Sequence, residues 1–238
     1  MPPLAGRLAL VTGASRGIGA AVARRLATDG ARVAVLARSA APLEALADEL
    51  GGEAFAIACD VSAPGAATRA LAACESMAGR GPDILVNNAG TFTIAPVGET
   101  TLASFRQTVE TNLVGPFALV SAALTGMRAR GHGHIVSIGS VADRAIYPGN
   151  AAYSASKFGL RALHEVLRAE LRGSGVRTTL VSPGAVDTGL WDAIDPDNRP
   201  GFTPRAQMLD AGSVAEAVMF ALLAPAAVNV DELRLSRS

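Results

Sequence analysis

Three residues in the middle of the chain have the types and spacing to move a proton at an oxygen atom: Ser140, Tyr153 and Lys157. Tyr153 and Lys157 lie four apart within "NAAYSASKFGL" (150–160), so on a helix they share one face. Asn150 is a plausible N-cap, which puts Tyr153 in the first turn. A phenol with a pKa near ~10 is a poor acid–base at neutral pH unless its phenolate is stabilised. A neighbouring ammonium and a helix N-terminus both do that. Ser140 ends the apolar run "GHIVSIGS" (133–140) and could hydrogen-bond the same reacting oxygen. Lys157 is the one lysine among 21 basic residues, all the others being arginine. A compact ammonium with three donors suits several nearby oxygens, whereas a planar guanidinium fork suits carboxylates and phosphates. Taken singly, each residue also has a structural reading: a rim tyrosine, a strand-end serine, a chance Tyr-x-x-x-Lys.

A second constellation is "TGASRGIG" (12–19), between an apolar run and a helical segment. Gly13 allows a tight turn, Gly17 a close approach of backbone to a pyrophosphate, and Gly19 close packing of helix on strand. Free N–H groups at the helix start then face the phosphate. The turn residues Ser15, Arg16, Gly17, Ile18 and Gly19 are the expected dinucleotide cradle. The spacing is G-x-x-x-G-x-G rather than the common G-x-G-x-x-G, and glycines at such turns also have a purely steric reading. An acidic residue ending the second strand would bond the adenine ribose 2′-OH and favour NAD. The strand ends "VLARS" instead, with Ala37 at that position and Arg38 next. Arg38 and Arg16 would suit a 2′-phosphate, so NADP is expected, with NAD the alternative and a solvated Arg38 the plainer reading.

These groups need a scaffold that brings them to one edge. Short apolar runs at 7–13, 31–38, 53–60, 83–90, 133–140, 176–184 and 231–236 read as strands. Helical spacing falls at 18–30, 41–51, 64–78, 102–129, 151–173 and 213–223. The alternation predicts a Rossmann-type doubly wound α/β fold, a parallel sheet of about seven strands with helices on both faces. Right-handed crossovers then place the strand C-terminal ends along one edge. The 238 residues are read as a single dinucleotide-binding domain. The segment 187–212, rich in Pro, Gly and Asp, is long for a connection and is read as a substrate lid.

Composition narrows the rest. Half the residues are hydrophobic and the formal net charge is zero, which disfavours a nucleic-acid partner. The apolar stretch "AVMFALLAPAAV" (217–228) is short for a membrane span and broken by Pro225. No signal peptide is evident, and Cys59 and Cys74 read as packing residues in a reducing, cytoplasmic setting. His132, His134 and His164 lack metal-ligand spacing and read as surface or helix residues, with no metal required.

Taken together, "TGASRGIG", "NNAG" (87–90), Asn112, Ser140, "YSASK" (153–157) and "SPGAVDT" (182–188) resemble the single-domain branch of the short-chain dehydrogenase/reductase family. The resemblance runs from about residue 6 to 190. It implies an NADP(H)-dependent oxidoreductase that interconverts a carbonyl and an alcohol, with Tyr153 as acid–base and Ser140 holding the substrate oxygen. Lys157 would bind the nicotinamide ribose and lower the Tyr153 pKa, and Asn112 would anchor a water in a proton relay. Asp60 and Val61 would contact adenine, and Asn88, Ala89 and Gly90 would line the cofactor. Pro183, Gly184, Val186 and Thr188 would meet the nicotinamide. Helices 102–129 and 151–173 would pair across a two-fold axis into a homodimer or homotetramer. The tail "VNVDELRLSRS" lacks the Gly-rich ending of some tetrameric members and is similar to NADP-dependent members acting on hydroxy acids, amino-alcohol acids and assorted aldehydes or ketones. Substrate is expected near Phe92, Val141, Ala142, Ile146, Tyr147, Ala185, Leu190 and Trp191. Arg144 is either a carboxylate partner or a solvated loop residue. A non-catalytic dinucleotide sensor on the same fold is the alternative of a different class; it would not need Asn112, Ser140, Tyr153 and Lys157 together.

Overall fold

Strand β1 (Leu8–Thr12) shows how the layers arise. In a strand successive side chains point to opposite faces, and here both faces are covered. Ala9 and Val11 pack into one apolar cluster, Leu8 and Leu10 into another. All five residues are buried, as expected of a central parallel strand. In this computed structural model, which describes residues 1–238, seven parallel strands form one sheet in the order β3-β2-β1-β4-β5-β6-β7. The other strands are β2 (Arg32–Ala37), β3 (Phe55–Ala58), β4 (Ile84–Asn87), β5 (Gly133–Ile138), β6 (Val176–Pro183) and β7 (Glu232–Leu235). The order reverses between β1 and β4, which opens a crevice at their C-terminal ends.

Helices α1 (Gly17–Thr28), α2 (Ala40–Leu50) and α7 (Ala211–Leu223) supply side chains to the first cluster. Helices α3 (Ala66–Ala78), α5 (Gly115–Arg130) and α6 (Ala151–Glu170) supply the second. The expected doubly wound sheet is therefore present. No helix is long and apolar enough to cross a membrane.

The structure corrects several local expectations. The helix expected over 102–129 is interrupted: α4 (Leu102–Val109) passes through a π-helical turn at Glu110–Val114 into α5. The apolar spacing runs on through the turn, so the sequence does not reveal it. The chain is closely packed on both sides of it. A Cβ at Gly115 would lie 2.8 Å from the Val61 carbonyl oxygen, and one at Gly159 in α6 would lie 2.7 Å from Leu113. Asn150 does stand at the N-cap of α6, but its side chain makes no capping bond, and its Oδ1 is buried without a partner. His134 is buried on β5, neither at the surface nor on a helix, whereas His164 is buried on α6, the helix placement expected. His134 points from β5 to the Thr179 hydroxyl at 2.8 Å.

The segment 187–212 is tied at both ends. Val186 pairs with Leu209, and Asp187 N–H donates to the Leu209 carbonyl at 2.8 Å. Arg205 spans it with 2.6 Å bonds to Asp187 and to Asp192. Between them the chain makes short 3-10 turns at Gly189–Trp191 and Arg205–Gln207.

Candidate active site

The crevice at the β1/β4 reversal is a cleft of about 970 Å³. At one end stands the glycine turn. Gly13 and Gly17 have φ of +65° and +58°, the left-handed region that glycine occupies without strain. A Cβ at Gly19 would come within 2.4 Å of the Gly13 carbonyl oxygen, so the turn closes only on glycine there. The first turn of α1 carries no acidic residue, and the Arg16 side chain does not cap it. Its leading N–H groups are left for an anion. Arg16 and Arg38 both line the cleft, both are exposed, and neither forms an ion pair within the chain. Ala37 leaves the end of β2 without a carboxylate. The residues present thus fit a dinucleotide bearing an extra phosphate.

The "NNAG" segment braces this turn from β4. Asn88 Nδ2 donates to the Thr12 carbonyl (2.9 Å) and the Gly13 carbonyl (3.2 Å). The Thr12 hydroxyl accepts from Asn88 and Ala89 N–H, each at 3.0 Å. Asp60 accepts from the Ser62 N–H and hydroxyl at 2.9 and 2.7 Å. Burial pushes the Asp60 pKa up, but the Ser62 bonds and the charge of Arg38 outweigh it and hold the carboxyl below its usual range.

Ser140, Tyr153 and Lys157 meet on the wall beside the C-terminal end of β5. Ser140 Oγ accepts the Ala142 N–H at 3.1 Å, which leaves its own proton free for the cleft. The Lys157 ammonium is buried and donates to the Ile138 carbonyl at 2.8 Å, leaving two N–H donors unspent. Its nitrogen lies 5.6 Å from the centre of the Tyr153 ring. Burial pushes the Lys157 pKa down to about 8, against the upward pull of the Asp143 carboxylate. Tyr153 is pushed above its ordinary value, first by burial and further by Asp143, while the Ser140 hydroxyl pulls it back.

Asn112 does not line the cleft and makes no hydrogen bond to Lys157. It sits buried in the π-helical turn and clamps a neighbouring loop: Oδ1 accepts the Thr91 N–H (2.8 Å), and Nδ2 donates to the Thr91 carbonyl (3.0 Å) and Ser156 Oγ (3.1 Å). The Ser156 hydroxyl donates in turn to the Tyr153 carbonyl at 2.7 Å. Asn112 thus connects the turn to the backbone that carries the phenol.

The other expected residues line the cleft: Ser15, Ile18, Val61, Gly90, Pro183, Gly184, Val186 and Thr188, with Ala142, Tyr147 and Trp191. Phe92, Val141, Ala185 and Leu190 join them, whereas Ile146 points to solvent. Arg144 turns away from the cleft into ion pairs with Asp143 (2.7 Å) and Glu232 of β7, so neither expectation for it holds.

Asp143 is the residue that sequence reading missed. Its carboxylate is wholly buried, accepts the Ser182 hydroxyl at 2.5 Å, and faces the Ser140 N–H at a long 3.5 Å. The available signal was its place three residues after Ser140, the spacing of a capping box, which the structure forms. Phe202 was missed as well, because it is remote in sequence from the rest of the cleft. No group of three or more His, Cys, Asp or Glu is placed to hold a metal.

Comparison with known proteins agrees with this geometry. Residues 7–199 match the family described as short chain dehydrogenase. D-threitol dehydrogenase of Mycolicibacterium smegmatis is 39% identical over 224 residues, covering 91% of this chain and 86% of that protein. Glycine betaine reductase ATRR of Emericella nidulans is 38% identical over 97% of this chain, but the match spans only 19% of that much longer protein. Among solved structures, a metagenomic short-chain oxidoreductase in complex with NADP superposes with a TM-score of 0.85 at 33% identity, covering 99% of both chains. With that sheet order, that cleft and that match over most of its length, the chain belongs to the short-chain dehydrogenase/reductase family of oxidoreductases.

Proposed function

We propose that the chain is an NADP(H)-dependent oxidoreductase interconverting a carbonyl and a secondary or primary alcohol, with Tyr153 as general acid–base. The observation that carries this reading is the meeting of the Ser140 hydroxyl, the Tyr153 phenol and the Lys157 ammonium on one wall of the dinucleotide cleft. When bound, the nicotinamide supplies the hydride in reduction and accepts it in oxidation. In reduction the Ser140 and Tyr153 hydroxyls hold the carbonyl oxygen, and the Tyr153 proton passes to that oxygen as it becomes an alcohol. The Lys157 ammonium stabilises the phenolate left behind. Asn112 keeps Tyr153 in place through Ser156. Such a complete proton-transfer set has no use in a dinucleotide sensor.

NADP is the preferred cofactor in this reading because Arg16 and Arg38 stand unpaired where Ala37 leaves no carboxylate, and the related solved oxidoreductase holds NADP. The whole chain acts as one dinucleotide-binding domain, and 187–212 closes over the substrate. Exposed Phe117 and Val166, with Val114 of the π-helical turn, give α5 and α6 an apolar outer side that suits pairing with a second copy. The buried, unpaired thiols of Cys59 and Cys74 suit a reducing cytoplasm, and burial pushes the Cys74 thiol up to about 12, which makes it inert. Titrating the purified chain with NADP and NAD, then following NADPH absorbance with carbonyls and alcohols, tests the assignment. NADP should bind at least about tenfold more tightly, a difference of about 1.4 kcal/mol. Tighter NAD binding would remove the phosphate-binding role of the two arginines.

A further inference from the structure

The substrate end of the cleft has an unusual lining. Phe92 meets the Tyr153 ring edge-on at 4.7 Å and Trp191 at 5.1 Å, and Trp191 meets Phe202 at 6.4 Å. These rings form a continuous aromatic wall running from the proton donor into the 187–212 segment. Ile94 and Leu190 add aliphatic surface to the same cleft. The polar atom of Trp191 is already spent, since its Nε1 donates to the Val186 carbonyl at 3.1 Å. The charged groups in the whole cleft are Arg16, Arg38, Asp60 and Lys157. Three of them belong to the dinucleotide end, Arg16 also packing on Gly189 at the start of the turn that carries Trp191, and the fourth faces Tyr153. Of the further cations nearby, Arg144 is consumed by Asp143 and Glu232, and the exposed Arg199 stacks on the Phe202 ring at 4.9 Å without lining the cleft.

We infer that the substrate is an uncharged ketone, or the matching secondary alcohol, carrying an aromatic or alicyclic ring. This rests on the oxidoreductase reading above and narrows it. A ring stacks well against such a wall. A carboxylate would be desolvated against the faces of the rings, since Arg16 and Arg199 reach only the ends of the segment that carries Trp191 and Phe202. A polyol would set most of its hydroxyls against these rings, with the Asn150 Oδ1 the one buried polar side-chain atom of the cleft left without a partner, which is how a site rejects a polar competitor. The expected substrate therefore differs in class from the threitol in the name of the M. smegmatis relative.

The test uses the full chain with NADPH and three ketones: acetophenone, acetylbenzoate (the same ring with a carboxylate) and erythrulose (a short polyol ketone). The kcat/KM for acetophenone should exceed each of the others by at least about tenfold. Preference for acetylbenzoate or erythrulose overturns the inference and leaves the oxidoreductase reading intact. A second readout does not need turnover. Trp191 is the single tryptophan, so its fluorescence in the NADP-loaded protein reports on the wall. Phenylethanol should quench it saturably, and erythritol should not. Quenching without reduction of any ketone would sink the oxidoreductase reading and keep the pocket assignment. Absence of quenching by phenylethanol overturns the assignment. Trp191→Ala should raise the KM for acetophenone about tenfold, and Trp191→Phe should recover most of that loss. A wild-type KM in the alanine variant would mean the ring binds elsewhere.

Discussion

The lone lysine is informative because its surroundings are so confined. Lys157 is 5% exposed and bonds a backbone carbonyl, so a larger guanidinium would have to displace β5 or the phenol beside it. Lys157→Arg is therefore expected to lower kcat on the order of 10²-fold, the usual effect of misplacing a reacting group by about an ångström. Wild-type kcat in that variant would show that charge alone suffices. Asp143 acts on the same group through space. Its carboxylate pulls the Lys157 pKa up against burial, so Asp143→Asn should let that pKa fall below about 8. The kcat/KM for NADPH, which reports on the free protein, should decline on the alkaline side of pH 8 in the wild type. In the variant that decline should begin at lower pH. An unmoved alkaline limb would confine Asp143 to a structural role. Ser140, Tyr153 and Lys157 were legible in the sequence because their types are rare in combination at that spacing. Asp143 was not, since an Asp-Arg pair in a loop reads as solvated whether or not it is buried.

At the scale of elements, the sheet and most helices could be read from apolar periodicity alone, because both faces of β1, β4 and β5 are covered. The π-helical turn could not, since five residues are too short a stretch to reveal a change of period. Its evidence lies in contacts distant in sequence, Gly115 against Val61 and Gly159 against Leu113. The turn carries Asn112, in line with the tendency of such turns to mark functional positions. Gly115→Ala would push a methyl to 2.8 Å from the Val61 carbonyl oxygen. It is expected to destabilise the fold by about 1–3 kcal/mol, read from urea unfolding. An unchanged midpoint would mean that α5 can shift freely, and that the turn is not held by this contact.

At the scale of the whole molecule, the buried His134 links stability to pH. Burial, helped by the charge of Arg177, pushes its pKa down to about 3, while an unfolded histidine titrates near ~6.5. Between those values the unfolded chain binds the additional proton, so stability is lost as the pH falls through that window. The slope should approach 1.4 kcal/mol per pH unit at most, about the value of one titrating group. His164, also lowered by burial, adds in the same direction. Replacing His134 by Gln should flatten the acid limb, and an unchanged limb would assign acid lability to other groups. The two apolar clusters and the sheet order bring the glycine turn and the phenol to one edge, and the central claim is that a proton moves at Tyr153 Oη there. The most direct measurement is the single-turnover rate of NADPH oxidation by a reducible ketone in wild type and in Tyr153→Phe, with NADPH affinity determined on the same samples. The account predicts a rate about 10²–10⁴-fold lower with affinity nearly unchanged; a phenylalanine variant that turns over at the wild-type rate would contradict it.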